Sequence, residues 1–200
     1  CHQASAFLAA PFDGCAVMTL DGRGERATTT YGAWSAAGGY RPLGEVTMPN
    51  SLGLLYEQVT THLGFLHSSD EYKVMALAAL GRPTFRGALR DHVRVGDDGR
   101  YEIAPIDLAR LCGPRRERGS ALEQRHFDLA ASLQAVLEES VLKIARWLRG
   151  ASGESRLAMA GGVALNCVMN ARLRDAGIFE QVWVQPAAGD AGTSLGAALQ

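Results

Sequence analysis

Two glycine-rich stretches near the end of the chain are the strongest candidates for a ligand site. Met159-Ala-Gly-Gly-Val-Ala-Leu-Asn166 and Gln185-Pro-Ala-Ala-Gly-Asp-Ala-Gly-Thr193 each follow a short β-rich run and precede a helical pattern. A strand, a glycine loop and a helix together aim backbone N–H groups at an anion. Because glycine-rich turns are also common in domains without a ligand, each loop alone is weak evidence, and the pair indicates a nucleotide cleft.

A few acidic and imidazole side chains could add a metal to such a cleft. Asp190 lies in the second loop, where it could cap the following helix or offer a carboxylate to a divalent cation. Asp21-Gly22 follows a strand pattern and is, by itself, typical of a hairpin turn. His2 alone favours a structural role, and Lys73, one of only two lysines, is on its own typical of an exposed helix charge.

Hydrophobic periodicity predicts the elements that would position these residues. Short β-rich runs predict strands at 15–20, 25–31, 92–95, 101–104, 156–160 and 181–184. Apolar residues at helical spacing predict helices at 1–8, 51–66, 72–80 and up to Gly150, with one more after each glycine loop. A capping box at Ser120 and Glu123 would begin the long helix that ends at Gly150. Asp21-Gly22 would join the first two strands as a hairpin.

The composition indicates a globular chain of ordinary domain size. Hydrophobic residues make up 47% and charged residues 20% of the 200 residues, which is enough for a core. The net charge of −1 argues against nucleic acid or an anionic membrane as a partner. The sequence contains no apolar run of about 18 residues and no signal-peptide pattern, and the four cysteines form no CxxC pair. These features favour a cytoplasmic protein with free thiols.

The order of the motifs resembles the ATP-dependent O-carbamoyltransferases that modify nodulation factors and antibiotics. The matching stretches are His2-Gln-Ala-Ser-Ala-Phe7, Leu20-Asp-Gly-Arg-Gly-Glu25, 51–65, 71–78, Ala160-Gly-Gly-Val-Ala-Leu-Asn166 and 185–193. The likeness extends over nearly all of the chain. Each stretch is weak alone, but six of them in the same order are highly specific.

The resemblance implies an α/β nucleotide-binding fold of the actin, sugar-kinase and Hsp70 type (RNase H-like). Residues 1–200 would be part of a two-lobed, Kae1-like domain, which is the domain of the tRNA threonylcarbamoyl-transfer protein. Residues 84–126, which are polar and irregular, would be a variable insertion. The family's N-terminal part and its C-terminal YrdC-like domain would lie outside this chain.

The resemblance also implies a site for carbamoyl-adenylate and a divalent metal. His2 and Asp190 would be metal ligands, and Asp21 and Gly22 would lie beside the phosphate and the metal. The remaining nucleotide-binding residues would be Lys73, Gly161, Gly162, Val163, Asn166 and Gly189. An imidazole with a carboxylate suits iron, the metal often found in the family, and also manganese or zinc, with magnesium as a further option. In the family another metal histidine precedes the one matched by His2, so we expect this chain alone to hold metal weakly.

The implied reaction uses ATP and carbamoyl phosphate to make carbamoyl-adenylate, whose carbamoyl group is transferred to a hydroxylated natural product. The sequence indicates neither the acceptor nor a general base. Two alternatives stay open: a tRNA threonylcarbamoyl-transfer relative, which the near-neutral charge disfavours, and a non-catalytic nucleotide-binding remnant, which the intact glycine loops disfavour. A homodimer is also compatible with the sequence.

Overall fold

The computed structural model describes residues 1–200 and contains seven β-strands. They are β1 (Gly14–Leu20), β2 (Ala27–Ser35), β3 (Gly39–Thr47), β4 (Val93–Val95), β5 (Tyr101–Ile103), β6 (Arg156–Ala160) and β7 (Gln181–Val184). Five of them form one mixed sheet in the order β3-β2-β1-β6-β7, and β4 and β5 form a separate antiparallel hairpin. The predicted α/β class is therefore confirmed.

Eight α-helices pack around the sheet. They are α1 (His2–Phe7), α2 (Leu52–His62), α3 (Glu71–Ala78), α4 (Arg86–His92), α5 (Leu108–Cys112), α6 (Gln124–Ser152), α7 (Cys167–Asp175) and α8 (Thr193–Leu199). Short 3-10 turns at Gly162–Leu165 and Asp190–Gly192 lie in the two glycine-rich loops. None of the helices combines the length and the apolar character that a membrane crossing requires.

The direction of each strand decides which loops share an edge of the sheet. Strand β2 runs antiparallel to both β1 and β3, whereas β1, β6 and β7 run parallel to one another. The carboxyl ends of β1, β6 and β7 therefore meet at one edge. The predicted second strand is confirmed and continues to Ser35, but β3 was not predicted. Pro42 and Gly44 interrupt its β-pattern, and the edge position of β3 tolerates both residues.

Side-chain alternation along β1 divides the core between the two faces of the sheet. Cys15 and Val17 pack with α1 on one face, while Met18 and Leu20 belong to the larger core on the other. On the smaller face Phe7 stacks on Trp34 and Tyr40. The long helix α6 supplies much of the larger core, as its apolar stripe predicts.

The predicted ends of the long helix are wrong by a few residues. Helix α6 begins at Gln124 with Glu123 as its N-cap, because the backbone N–H of Glu123 donates to Nδ1 of His126 at 2.9 Å. The hydroxyl of Ser120 instead donates to the carbonyl of Glu117 at 2.8 Å. The helix passes through Gly150 and ends at Ser152, where Gly153 adopts the left-handed conformation typical of a C-cap.

Two buried histidines make the stability of this region depend on pH. Burial, together with the charge of Arg125, lowers the pKa of His126, and burial also lowers the pKa of His62. Both are neutral in the folded protein and bind a proton more readily when unfolded. Above pH 6.5, their ordinary pKa, the two histidines therefore do not reduce the free energy of unfolding. Below pH 6.5 it should fall, by up to about 1.4 kcal/mol per pH unit for each histidine, until the lowered pKa of the folded state is reached.

Urea unfolding at several pH values measures this slope. His126→Gln keeps a capping-box side chain without a titrating ring, so we expect it to remove the contribution of His126. Equal slopes for the two proteins would show that His126 does not titrate in this range. The pKa of His2 is raised, so its stabilising contribution to folding is complete below pH 6.5 and is lost as the pH rises above that value. The effect of His2 on the free energy of unfolding therefore has the opposite sign and does not occur in the pH range below 6.5.

Residues 84–126 are integrated into the larger core. The hydroxyls of Tyr101 and Thr29 lie 2.7 Å apart, and the hydroxyl of Tyr31 donates to the carbonyl of Gly99 at 2.8 Å. Leu89, Val93, Tyr101, Leu108 and Cys112 are all buried in this core. The segment therefore helps to hold the sheet against α6, and its variability stays a prediction.

Candidate active site

The candidate site lies at the carboxyl end of the central strands. The chain turns outward from β1 to β2 and β3 on one side, whereas β6 and β7 lie on the other. The junction of β1 and β6 is thus a topological switch point, where open α/β sheets bind ligands. Asp21 directly follows β1, and Gly161 directly follows β6.

The loop after β1 fixes the side chain of Asp21 at this junction. Oδ1 of Asp21 accepts hydrogen bonds from the backbone N–H groups of Gly22 at 2.8 Å and Gly162 at 3.2 Å. The hydroxyl of Ser51, at the start of α2, donates to the carbonyls of Asp21 at 3.0 Å and Gly22 at 2.8 Å. The predicted hairpin is confirmed, since β1 and β2 pair antiparallel, and the connection between them is the loop 21–26.

Three side chains from separate parts of the chain converge at this edge. Nε2 of His2 lies 3.2 Å from Oδ2 of Asp21 and 3.3 Å from Oδ1 of Asp190. One ligand atom from each of the three residues lies within 4.8 Å of the other two. Helix α1 carries His2, and α8 packs closely against α1. A Cβ on Gly196 of α8 would lie only 2.4 Å from the carbonyl oxygen of Cys1. We call His2, Asp21 and Asp190 the triad.

The triad concentrates negative charge around the imidazole. The hydrogen bond to Asp21 raises the pKa of His2 against the opposing effect of burial, and the charges of Asp21 and Asp190 act in the same direction. Burial would raise the pKa of Asp21, but its bonds to His2, Gly22 and Gly162 together lower it. The site is therefore arranged for a cation, whether that is the proton on His2 or a metal ion.

The donor set of the triad fits a divalent transition metal. One imidazole nitrogen and two carboxylates are a mixed set that suits iron, manganese or zinc. Two ligand atoms at right angles, each about 2.1 Å from one ion, lie about 3 Å apart, which is close to the two measured spacings. Nε2 of His2 is the nitrogen directed at the two carboxylates, whereas Nδ1 is buried without a hydrogen-bond partner. The side chain of Asp190 is 94% exposed and leaves one side of the triad open.

A cavity of about 550 Å³ adjoins the triad. The predicted site residues that line it are Asp21, Gly22, Gly162, Val163, Asn166, Gly189 and Asp190. Its volume is within the usual range for small-molecule and cofactor sites. The two glycine loops are joined by a hydrogen bond from the N–H of Gly161 to the carbonyl of Ala188 at 2.7 Å. The structure thus brings most of the expected residues together around one cavity.

Two expected nucleotide-binding residues do not line the cavity. Lys73 forms an ion pair with Asp70 at 2.8 Å, and the residues of α3 that line the cavity are Glu71, Tyr72 and Met75. Gly161 lies behind the lining, where a Cβ would be 2.2 Å from the carbonyl oxygen of Leu20. The lack of a side chain at Gly161 therefore allows the chain to turn directly after β6 beside β1. It does not enlarge the cavity for a nucleotide base.

Several cavity residues were missed because their types are ordinary for a helix or loop. Tyr56 and Glu57 of α2 line the cavity, as do Arg23 and Tyr72. The guanidinium of Arg23 donates to both carboxylate oxygens of Glu57, at 2.8 and 2.9 Å, and so links the loop after β1 to α2. Tyr56 and Glu57 fall inside the matched stretch 51–65, and that stretch was the available indication of their importance.

Comparison with known proteins finds similarity over nearly the whole length of the chain. The sequence model of the family described as carbamoyltransferase N-terminus matches residues 1–199. The chain is 43% identical over 214 residues to an uncharacterised protein of Synechocystis, with 99% of this chain and 34% of that protein covered.

Two nodulation proteins are similar at nearly the same level. Nodulation protein NolNO of Sinorhizobium fredii is 40% identical over 206 residues, with 99% of this chain and 29% of that protein covered. Nodulation protein NolO of Bradyrhizobium diazoefficiens is 39% identical over 208 residues, with 99% and 36% covered. The chain thus spans about a third of the length of the curated relatives it matches. Since the family match extends over residues 1–199, the chain belongs to the carbamoyltransferase N-terminal family.

Proposed function

We propose that this chain is part of an ATP-dependent enzyme that transfers a carbamoyl group from carbamoyl-adenylate to a hydroxyl of a natural product. Membership of the carbamoyltransferase family supports the transfer of a carbamoyl group. The similarity to nodulation proteins NolNO and NolO supports an acceptor of the nodulation-factor type, and an antibiotic is the other acceptor that the motif resemblance implies. Carbamoyl phosphate would be the carbamoyl source, and a YrdC-like domain of the complete protein would form the adenylate.

One observation carries the proposal: the triad adjoins a cavity that both glycine loops help to line. An adenylate has a flat, partly apolar nucleoside and an anionic phosphate. The cavity offers Val163, Leu165 and Tyr72 to the nucleoside, and the adjoining triad is arranged for a cation that can neutralise the phosphate. This division of one site into an apolar part and a charged part matches that ligand.

The strand order supports the finer assignment of the fold. Numbered within the main sheet, the strands lie in the order 3-2-1-4-5, and the second strand alone runs against the others. We propose that the sheet belongs to one lobe of an actin, sugar-kinase and Hsp70-type fold. The interlobe cleft of that fold would then lie over the carboxyl ends of β1, β6 and β7.

The residues of this chain would mainly position the reactants. Iron or another divalent metal bound by the triad would supply Lewis-acid stabilisation of charge on the phosphate or the carbamoyl oxygen. Asp21 is fixed by two backbone N–H groups, so its carboxylate needs little reorganisation when it binds a cation. The acceptor oxygen would bond to the carbamoyl carbon while the bond from that carbon to the phosphate oxygen breaks. AMP then leaves, and a base takes the hydroxyl proton.

The complete protein tests this function directly. It is incubated with ATP, carbamoyl phosphate, Fe(II) and a panel of polyhydroxylated natural products, and mass spectrometry detects acceptors that gain one carbamoyl group. We expect at least one carbamate, with AMP formed in equal amount. In a parallel incubation that contains tRNA and threonine, transfer of a threonylcarbamoyl group to the tRNA would favour the tRNA-modifying alternative. The absence of any nucleotide turnover would favour the non-catalytic remnant.

A further inference from the structure

A buried polar network lies under one end of the cavity, on the long helix α6. Gln134 is at its centre and is only 5% exposed. Its Nε2 donates to Oδ1 of Asn166 at 3.2 Å and to Oε1 of Glu138 at 2.9 Å. Its Oε1 accepts from Nδ2 of Asn166 at 2.8 Å and from the hydroxyl of Tyr56 at 3.2 Å. These four bonds use both N–H groups and both lone pairs of the side chain, so Gln134 has nothing left to offer a ligand.

The partners at the two ends of the network determine the orientation of both carboxamides. The Glu138 carboxylate can only accept, so the NH2 group of Gln134 must lie on its side. The backbone N–H of Met169 donates to Asn166 at 2.9 Å, so the side-chain oxygen of Asn166 must lie there. If either amide were reversed, two donors or two acceptors would face each other across the pair. The donor and acceptor positions on Asn166 are therefore set by α6 and by its own helix cap.

Gln134 and Met169 do not use every hydrogen-bonding group of Asn166. Its oxygen accepts from Met169 and Gln134, and one N–H is given to Gln134. The second N–H of Nδ2 lies beside the hydroxyl of Tyr56, and both residues line the cavity. Burial raises the pKa of the neighbouring Tyr56, so its hydroxyl keeps the proton that it donates to Gln134. The orientation of the Asn166 carboxamide at the cavity is thus decided by Gln134, which does not itself line the cavity.

We propose that Gln134 is a positioning residue for nucleotide binding, which holds the Asn166 carboxamide so that its second N–H, beside Tyr56, can turn to an acceptor atom of the bound adenosine. The inference rests on the proposed function, because it takes the ligand of the cavity to be an adenine nucleotide. Ring nitrogens of the base and ribose oxygens are acceptors of the required kind. A buried network whose central side chain is fully hydrogen-bonded is rigid and gives a single orientation, which is what a specificity contact needs.

Gln134→Met tests the role in the complete protein, because methionine keeps the length and volume of glutamine without its hydrogen bonds. Isothermal titration with AMP, the nucleotide that transfer would leave in this cavity, should give a Kd about tenfold higher than that of the unsubstituted protein, the effect of losing one oriented hydrogen bond. Ser140→Ala is the matched control on the same helix, since Ser140 is buried and bonds only to the carbonyl of Val136. It should lower the unfolding temperature but leave the Kd unchanged.

A double-mutant cycle separates positioning from a general loss of structure. Asn166→Ala should raise the Kd by a similar factor, and adding Gln134→Met should raise it no further, because the two residues act through one contact. The inference would be overturned if the two substitutions raised the Kd independently, so that their factors multiplied in the double variant. A normal Kd for Gln134→Met despite a lower unfolding temperature would also overturn it, while the proposed function stands. If the unsubstituted complete protein bound no AMP, the proposed function would fail first and the inference with it.

Discussion

Asp190→Ala should abolish carbamoyl transfer in the complete protein while leaving adenylate formation intact. Asp190 is one of three side chains in the triad, and its carboxylate lies 3.3 Å from the His2 ring. Loss of a metal ligand removes several kcal/mol of transition-state stabilisation, so transfer should fall by about 10³-fold or more. Adenylate formation would take place in another domain, and pyrophosphate release should therefore continue at the unsubstituted rate.

The exposure of Asp190 makes this substitution a clean test. Its side chain is 94% exposed, so truncation should cost the fold little. Asp97 has a side chain that is 98% exposed and pairs with Lys143 away from the cavity, so Asp97→Ala is a matched control that should retain full transfer. Wild-type transfer by the Asp190 variant would remove Asp190 from the reaction site.

Gly161→Ala should destabilise the fold by about 4 kcal/mol or more. Gly161 has φ 98° and ψ 160°, a region that is almost exclusive to glycine. A Cβ there would also lie 2.2 Å from the carbonyl oxygen of Leu20, so the β1 and β6 backbones would have to separate. Backbone strain and overpacking each cost about 1–3 kcal/mol, and here they act together.

Gly153→Ala separates these two causes. Gly153 also has a positive φ of 77°, but a Cβ there would meet nothing within 4 Å. We expect a loss of about 1 kcal/mol from the backbone effect alone. Denaturant unfolding of both variants gives the comparison. Equal losses of unfolding free energy in the two variants would show that the crowding between β1 and β6 in Gly161→Ala carries no free-energy cost.

The sequence was most informative where a local pattern determines the structure. The apolar stripe of α6 predicted a long helix against the sheet, and the glycine loops predicted the turns after β6 and β7. The exact N-cap of α6 depended on the ring of His126, which accepts from the Glu123 backbone. A Ser-x-x-Glu spacing cannot reveal that competing cap. Strand β3 was missed because Pro42 weakens its pattern and pairing with β2 compensates for it.

Residues of the site were predictable where backbone geometry or motif order pointed to them. Asp21 and Asp190 follow strand patterns, and His2 was expected from the resemblance alone. Lys73 was expected at the nucleotide, but α3 places Tyr72 and Met75 at the cavity while Lys73 pairs with Asp70. Which side of a short helix faces a cavity is decided by tertiary packing, here by the completely buried Val74.

Gln134 could not have been identified from its sequence context. A glutamine within the apolar stripe of a helix is compatible with a partly exposed position, and nothing nearby marks it as buried. Its partners Tyr56 and Asn166 come from α2 and from the loop after β6, and only the fold brings them together. The meaning of this residue therefore depends on contacts between distant parts of the chain.

Titration of the metal-free complete protein with Co(II), followed by visible absorption, tests directly whether the triad binds a metal ion. We expect one ion per chain with a ligand-field spectrum that indicates imidazole and carboxylate ligands. Asp190→Ala and Asp21→Asn should each weaken binding by about 10- to 100-fold or more, and Asp97→Ala should bind as the unsubstituted protein does. Identical affinity and spectrum in all four proteins would contradict a metal site built from His2, Asp21 and Asp190.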